Sequence, residues 1–138
     1  MKIDKRTRTI VTTLALALLP VTALAVPSGF SEEVVLSGRN EPVYLTALPD
    51  GRMLLAEKGG LISIFDPTSQ PATAQSYLQI TNVQTGGERG LTSIALDPDF
   101  ENNGYLYVYY THAPSSRNRI SRFTHQGNTA SLASQLLI

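Results

Sequence analysis

Short runs in which apolar and polar residues alternate recur along most of this chain, a pattern typical of half-buried β-strands. The first four predicted strands cover residues 43–48, 52–57, 61–65 and 77–80. Pro49-Asp50-Gly51 separates the first two strands, and Gly59-Gly60 separates the second from the third. Both combinations favour tight turns, because proline presets φ and glycine tolerates positive φ. The pattern therefore predicts an antiparallel sheet in this part of the chain.

The same order of predicted elements recurs in the second half of the sequence. Further strands are predicted at residues 91–96, 105–111, 119–123 and 135–138. Pro98 lies 49 residues after Pro49, and Ile120 lies 58 residues after its counterpart Ile62, because the second copy has longer loops. Four antiparallel strands repeating roughly every 40 to 50 residues are typical of a β-propeller blade. The sequence thus predicts an all-β fold, a β-propeller with about two four-stranded antiparallel blades.

Two blades leave a propeller ring open. Such rings typically have about four to eight blades, which cover one another's sheet faces around a closed circle. We therefore expect this chain to be the N-terminal part of a longer propeller. The alternative is a free-standing small β protein, which would have to tolerate exposed sheet edges.

A different kind of segment is predicted at the start of the chain. It begins with basic residues, continues with a largely apolar run over residues 10–19 and is interrupted at Pro20. The small residues Ala23 and Ala25 suit the pockets of signal peptidase, so cleavage is predicted before Val26. The sequence thus predicts a signal peptide over residues 1–25 and a propeller segment over residues 26–138, in a periplasmic or secreted protein.

Charge and cysteine content exclude several classes of function. The whole chain has 11 basic and 11 acidic residues, whereas the predicted mature part has seven basic and ten acidic ones, a net charge of −3. No nucleic-acid partner is expected for an acidic chain. The absence of cysteine excludes disulfides and thiolate chemistry. Because no second long apolar run follows residue 25, no stable membrane insertion is expected after cleavage.

The candidate binding residues are Glu88 and Arg89. They lie in the glycine-rich stretch 85–91, directly before the fifth predicted strand. In a propeller the innermost strand of each blade lines the central channel, so a charged pair at its start would lie at the channel mouth. The alternative is a glycine-rich loop between blades, with both charges solvated.

An alternation of oxygen-bearing side chains follows the same strand. Asp97, Asp99, Glu101 and Asn103 are spaced as calcium ligands can be. Aspartate and asparagine are also the ordinary residues of turns, where they cap their own backbone. A turn is the favoured interpretation, and no metal ligand is assigned.

Histidine and tyrosine side chains offer two further candidates. His112 and His125 could each act as a general base, but each follows a predicted strand with no visible partner. We expect both to face solvent in loops. Tyr105, Tyr107 and Tyr109 share one strand face, which favours a hydrophobic seam between blades over sugar stacking. No catalytic residue is assigned.

Three motifs together identify a family. Residues 48–60 read LPDGRMLLAEKGG, residues 87–100 begin with GERGL and end with DPDF, and residues 103–111 read NGYLYVYYT. Over residues 30–123 the chain resembles the N-terminal part of the glucose/sorbosone dehydrogenase family, the soluble quinoprotein sugar dehydrogenases. The resemblance implies a six-bladed propeller that holds pyrroloquinoline quinone (PQQ) and calcium. It further implies oxidation of the anomeric carbon of an aldose in the periplasm, with an electron acceptor as the second partner.

The resemblance also implies roles for particular residues. Glu88 stands where characterised members have a glutamine that contacts the quinone, and Arg89 or a bound cation is expected to neutralise this carboxylate beside an anionic cofactor. The family's catalytic histidine belongs to a later His-x-Gly-Gly motif, which does not occur before Ile138. The calcium ligands and clamping arginines are likewise expected in later blades. The chain alone is therefore expected to be inactive.

A second function remains open within the same superfamily. Because glutamate replaces glutamine at residue 88, the chain could belong to a non-enzymatic propeller that binds carbohydrate or protein. A histidine motif with paired arginines in later blades would favour the enzyme, and their absence would favour the binding module.

Overall fold

The structure, a computed structural model, describes residues 26–138. The predicted signal peptide, residues 1–25, lies outside the described residues. The described residues fall into two units, residues 26–32 and Glu33–Ile138. In the described part of the first unit, the Phe30 amide donates to the Pro27 carbonyl oxygen at 3.1 Å and closes a turn. The second unit contains every strand that the structure describes.

The first sheet is an antiparallel meander of four strands in the order β1-β2-β3-β4. Its members are β1 (Pro42–Ala47), β2 (Met53–Glu57), β3 (Leu61–Phe65) and β4 (Gln75–Gln79). The turns at residues 48–52 and 58–60 lie where the sequence predicts them, and Gly51 and Gly60 adopt φ values of 89° and 101°. The glycines are needed there because other residues rarely adopt positive φ.

The second sheet repeats this meander with longer elements. It contains β5 (Leu91–Leu96), β6 (Tyr105–His112), β7 (Arg117–Gln126), β8 (Thr129–Ala130) and β9 (Leu136–Leu137), and a helix, α1 (Phe100–Asn103), follows β5. β7 continues three residues beyond the predicted strand and pairs with both β8 and β9. The fourth position is therefore shared by two short strands instead of one strand over residues 135–138. The predicted all-β fold of two antiparallel sheets is confirmed.

One shared core lies between the buried faces of the two sheets. Leu54 and Ile62 from the first sheet belong to the same buried cluster as Leu106, Val108 and Phe123 from the second. These five side chains have no exposed area. Burial of this apolar surface is the main term that holds the sheets together.

The tyrosine face of β6 is not part of that core. Leu106, Val108 and Tyr110 alternate with the tyrosines and are the buried side chains of this strand. On the other face, the Arg122 guanidinium lies 3.9 Å from the centre of the Tyr105 ring, and Tyr109 is 38% exposed. The side chains of β6 that pack between the two sheets are therefore Leu106, Val108 and Tyr110, and not the three tyrosines that the sequence predicts there.

Polar contacts join the sheets at the end where β1 leads into β2. The Tyr77 hydroxyl lies 2.8 Å from His125 Nδ1, and the two rings stack with centroids 5.8 Å apart. Arg52 donates from Nη1 to Asn128 Oδ1 at 2.5 Å and from Nη2 to the Gly127 carbonyl oxygen at 3.3 Å. These contacts connect β4 and the first turn with the end of β7.

Both histidine expectations need correction. His125 lies within β7 and is half-buried against Tyr77 and Phe100, so it is not a solvent-facing loop residue. His112 ends β6 and places Nδ1 3.0 Å from Ser115 Oγ. The sequence did not reveal Tyr77 as the partner of His125, because strand alternation shows which face a residue occupies but not which distant strand covers it.

The partial burial of His125 predicts a pH-dependent stability. Burial, followed by the positive charge of Arg52, lowers the pKa of His125 below its usual 6.5. Below about pH 6.5 the unfolded chain then binds more protons than the folded chain, so stability is lost as pH falls. We expect a lower urea midpoint at pH 5.5 than at pH 7.5.

The variant His125→Gln is expected to reduce that difference between the two midpoints. His112→Gln is the comparison, because burial and Arg119 also lower the pKa of His112, so this histidine contributes to the same pH dependence. The reduction is expected to be larger in His125→Gln, because His125 is half-buried against Tyr77 of the other sheet. If His125→Gln keeps the full wild-type difference between the urea midpoints at the two pH values, His125 does not cause the pH dependence of stability.

Candidate functional site

The starts of β1 and β5 form the candidate functional site. β1 and β5 are edge strands of their sheets and lie next to each other. Lys58 connects their starts, because its amide donates to the Glu41 carbonyl oxygen at 3.0 Å and its carbonyl oxygen accepts from the Leu91 amide at 2.9 Å. The two edge strands therefore begin side by side.

Glu88 and Arg89 lie directly before β5, as the sequence predicts. They belong to a turn that is closed by a hydrogen bond of 3.3 Å from the Arg89 amide to the Gly86 carbonyl oxygen. Both side chains are exposed. Within residues 26–138 neither side chain forms an ion pair or a hydrogen bond, so the expected pairing of Glu88 with Arg89 does not occur there. Both charged groups face solvent at the start of an edge strand.

The backbone on either side of this turn is anchored. The Thr111 amide donates to the Gly90 carbonyl oxygen at 2.9 Å, and the Gln84 amide donates to the Thr111 carbonyl oxygen at 2.9 Å. The Ala113 amide donates to the Asn82 carbonyl oxygen at 2.7 Å. The backbone on both sides of the Glu88 turn is therefore hydrogen-bonded to the end of β6 and to the residue that follows it.

Four further charged residues lie at the same end of the strands. Lys58 Nζ is 3.7 Å from Glu41 Oε1, and Arg39 Nη1 is 3.7 Å from Glu57 Oε1. Glu57 is only 7% exposed, so its carboxylate depends on the nearby arginine. The sequence interpretation missed these residues, although the repeat offset could have found one of them, since Arg39 precedes Glu88 by the same 49 residues that separate the two prolines.

Glu41 shows that the chain is locally constrained at the site. Its φ is 46°, in the left-handed region that residues other than glycine seldom occupy. Its carbonyl oxygen accepts from the Lys58 amide, and its carboxylate lies near the Lys58 ammonium. Such positions persist where surrounding contacts hold them, and they are concentrated at functional sites.

The acidic stretch after β5 is a capped turn. Asp97 Oδ2 accepts from the Tyr107 hydroxyl at 2.7 Å, and Oδ1 accepts from Asn103 Nδ2 at 2.9 Å and from the Asp99 amide at 3.0 Å. The Tyr107 hydroxyl is the main reason that the pKa of Asp97 lies below its usual value. Gly104, with φ of 65°, then ends α1. Among the described residues no cluster of three acidic or histidine side chains could hold a metal ion.

The chemistry of the site is that of binding. Exposed groups of both charges, Glu88 and Arg89, lie directly before edge strand β5, where they can orient a polar or charged ligand. In the described part of the chain, neither histidine lies within hydrogen-bond distance of Glu88 or Arg89. Among the residues 26–138, no helix is long and apolar enough to span a membrane.

Comparison with known proteins relates the chain to one family and several relatives. The family model for glucose/sorbosone dehydrogenase matches residues 39–138. The chain is 31% identical to quinoprotein glucose dehydrogenase B of Acinetobacter calcoaceticus, over 89% of this chain and 28% of that protein. It is 37% identical to hedgehog-interacting protein of Mus musculus, over 56% of this chain and 12% of that protein.

A solved structure is also similar. The PQQ-bound form of aldose sugar dehydrogenase from Streptomyces coelicolor matches with a TM-score of 0.64 and 30% identity, over 75% of this chain and 30% of that one. The chain thus spans less than a third of the length of each of these relatives.

Proposed function

Because the chain belongs to the glucose/sorbosone dehydrogenase family, we propose that it forms two blades of a PQQ-dependent dehydrogenase that oxidises the anomeric carbon of an aldose. The observation that carries the proposal is the position of Glu88 and Arg89, exposed and anchored at the start of inner strand β5. The substrate class is an aldose sugar, and an electron acceptor is the second partner.

The residues at this site fit one edge of the quinone. PQQ is anionic, and the exposed Arg89 guanidinium can pair with one of its carboxylates. The Glu88 carboxylate would suit a cation bound together with the quinone, because calcium prefers such oxygen ligands. When bound, the quinone supplies the two-electron acceptor for sugar oxidation. This chain's residues bind and orient it, while the proton-accepting histidine and the calcium ligands are proposed to come from later blades.

An uncovered sheet face supports a longer ring. Tyr109 and Ile120, on neighbouring strands of the second sheet, are 38% and 44% exposed. Leu136 in β9 pairs with Arg122, which lies opposite Tyr107 on the same face, and is 46% exposed. A row of exposed apolar side chains on a sheet face is normally covered in a propeller by the next blade. We propose that a third blade covers this face.

Export to the periplasm is part of the proposal. Its support is the sequence of residues 1–25, with basic residues before an apolar run and small residues before the predicted cleavage point. Amino-terminal sequencing of the secreted protein is expected to begin at Val26. An amino terminus at Met1 in the mature protein would contradict export by cleavage.

Reconstitution of the natural full-length protein with PQQ and calcium tests the enzyme. We expect aldose-dependent dye reduction that saturates with quinone, and none from residues 26–138 alone. In Glu88→Ala, quinone binding in the presence of calcium is expected to weaken by about tenfold, because the variant loses a carboxylate that would hold the cation bound with the quinone, and contacts to charged groups contribute about 1.5–3 kcal/mol. Glu101→Ala, which removes an exposed carboxylate from α1, is the matched control and is expected to leave the dissociation constant unchanged. Equal dissociation constants in both variants would contradict the site.

A binding module is the second candidate function. It is supported by the similarity to hedgehog-interacting protein and by the acidic Glu88 at the start of β5. Under this alternative the full-length protein does not bind PQQ, and a carbohydrate or protein ligand occupies the same mouth of the channel. The quinone titration therefore separates the two functions.

A further inference from the structure

Lys58 occupies a junction between the two sheets. It follows β2 directly, and its amide and carbonyl groups bond to the backbones that lead into β1 and β5. Glu41 accepts the first of these hydrogen bonds at 3.0 Å, and Leu91 donates the second at 2.9 Å. The backbone of Lys58 therefore helps to fix where both β1 and β5 begin.

The side chain of Lys58 lies directly against Gly90. A Cβ atom built on Gly90 would lie 2.5 Å from Lys58 Cγ and 3.0 Å from the Lys58 carbonyl oxygen, and Gly90 has φ of 156°. Both distances are shorter than carbon contacts allow, so only glycine fits beneath this alkyl chain. Gly90 is buried, and it is two residues after Glu88.

We propose that Lys58 and Gly90 are a positioning pair that sets where Glu88 stands relative to the cofactor, an inference that rests on the proposed function. Packing of the Lys58 alkyl chain on Gly90, together with the Lys58–Leu91 hydrogen bond, fixes the base of the turn that carries Glu88. The Lys58 ammonium acts separately, on Glu41. The pair does not touch the reacting atoms, so its effect appears in cofactor binding.

Substitutions that separate packing from charge test this pair. PQQ binding is measured by absorbance titration of the natural full-length protein with calcium, well below the melting temperature of each variant. Because the pair acts through Glu88, Gly90→Ala is expected to weaken binding by up to about tenfold, the loss expected for Glu88→Ala. Lys58→Ala, which removes Cγ, is expected to weaken it about threefold. Lys58→Met keeps the alkyl contact but loses the same charge, so it is expected to bind the quinone more tightly than Lys58→Ala does.

Three controls complete the design. Gly86→Ala adds a methyl group to the same loop in open space and is expected to leave binding unchanged. Phe123→Ala destabilises the core without altering the start of β5, and it is also expected to bind normally. In the double variant Gly90→Ala with Lys58→Ala, the new methyl group gains room, so the loss is expected to be smaller than the product of the single losses.

The outcomes distinguish this inference from the proposed function. If Glu88→Ala weakens quinone binding but Gly90→Ala and Lys58→Ala do not, the positioning pair is wrong and the site stands. Equal binding in Lys58→Ala and Lys58→Met, or multiplicative losses in the double variant, would also overturn the pair. If the wild-type protein does not bind PQQ, the proposed function fails and the positioning role fails with it.

Discussion

In the variant Gly60→Ala, the free energy of unfolding is expected to fall by about 3 kcal/mol, because strain and a backbone clash act together. Gly60 has φ of 101°, which an alanine seldom adopts, and its added Cβ would lie 2.6 Å from the Ile80 carbonyl oxygen. The Gly60 carbonyl oxygen also accepts from the Ile80 amide at 3.0 Å, so the two segments cannot separate without losing that bond. Urea denaturation followed by circular dichroism measures the loss.

Gly59→Ala is the matched control for this variant. Gly59 is the preceding residue of the same turn, has no positive φ and has no atom within 4 Å of an added Cβ. Its substitution is expected to change stability by less than about 1 kcal/mol. Equal losses at the two glycines would show that the close approach of the β2–β3 turn to Ile80 is absent.

In Phe123→Ala, a loss of about 4 kcal/mol is expected, because truncation leaves a cavity in a core that cannot collapse around it. Phe123 has no exposed area, lies opposite Leu106 in the pairing of β6 with β7, and belongs to the cluster shared by both sheets. The melting temperature and the urea midpoint are both expected to fall.

Ile120→Ala provides the comparison within the same strand. Ile120 is 44% exposed on the face of β7 that the first sheet does not cover, so its loss is expected to stay below about 1 kcal/mol in residues 26–138. A larger loss at Ile120 than at Phe123 would mean that the buried and uncovered faces of the second sheet have been exchanged.

The parts of the fold that the sequence could predict are those with local signals. Alternation and turn residues place β2, β3 and β5 within one residue of their observed bounds. Helix α1 was missed because four residues are too short for helical periodicity, and side-chain hydrogen bonds to Asp97 shape that turn. The two-residue strand β8 likewise has too few positions to show alternation.

The candidate site likewise contains residues that have a local signal in the sequence and residues that have none. Glu88 and Arg89 could be found because glycines, a strand start and the family motif coincide at residues 87–91. The roles of Lys58 and Glu41 could not be found, because they depend on backbone hydrogen bonds between segments far apart in the chain. His125 was misplaced for a similar reason, since its partner Tyr77 lies 48 residues earlier, on the other sheet.

A crystal structure of the natural full-length protein with PQQ and calcium tests the central claim most directly. We expect the quinone at the starts of β1 and β5, with Glu88 or Arg89 within about 3 Å of the quinone or its calcium. A quinone bound elsewhere, with both side chains still free in solvent, would contradict it.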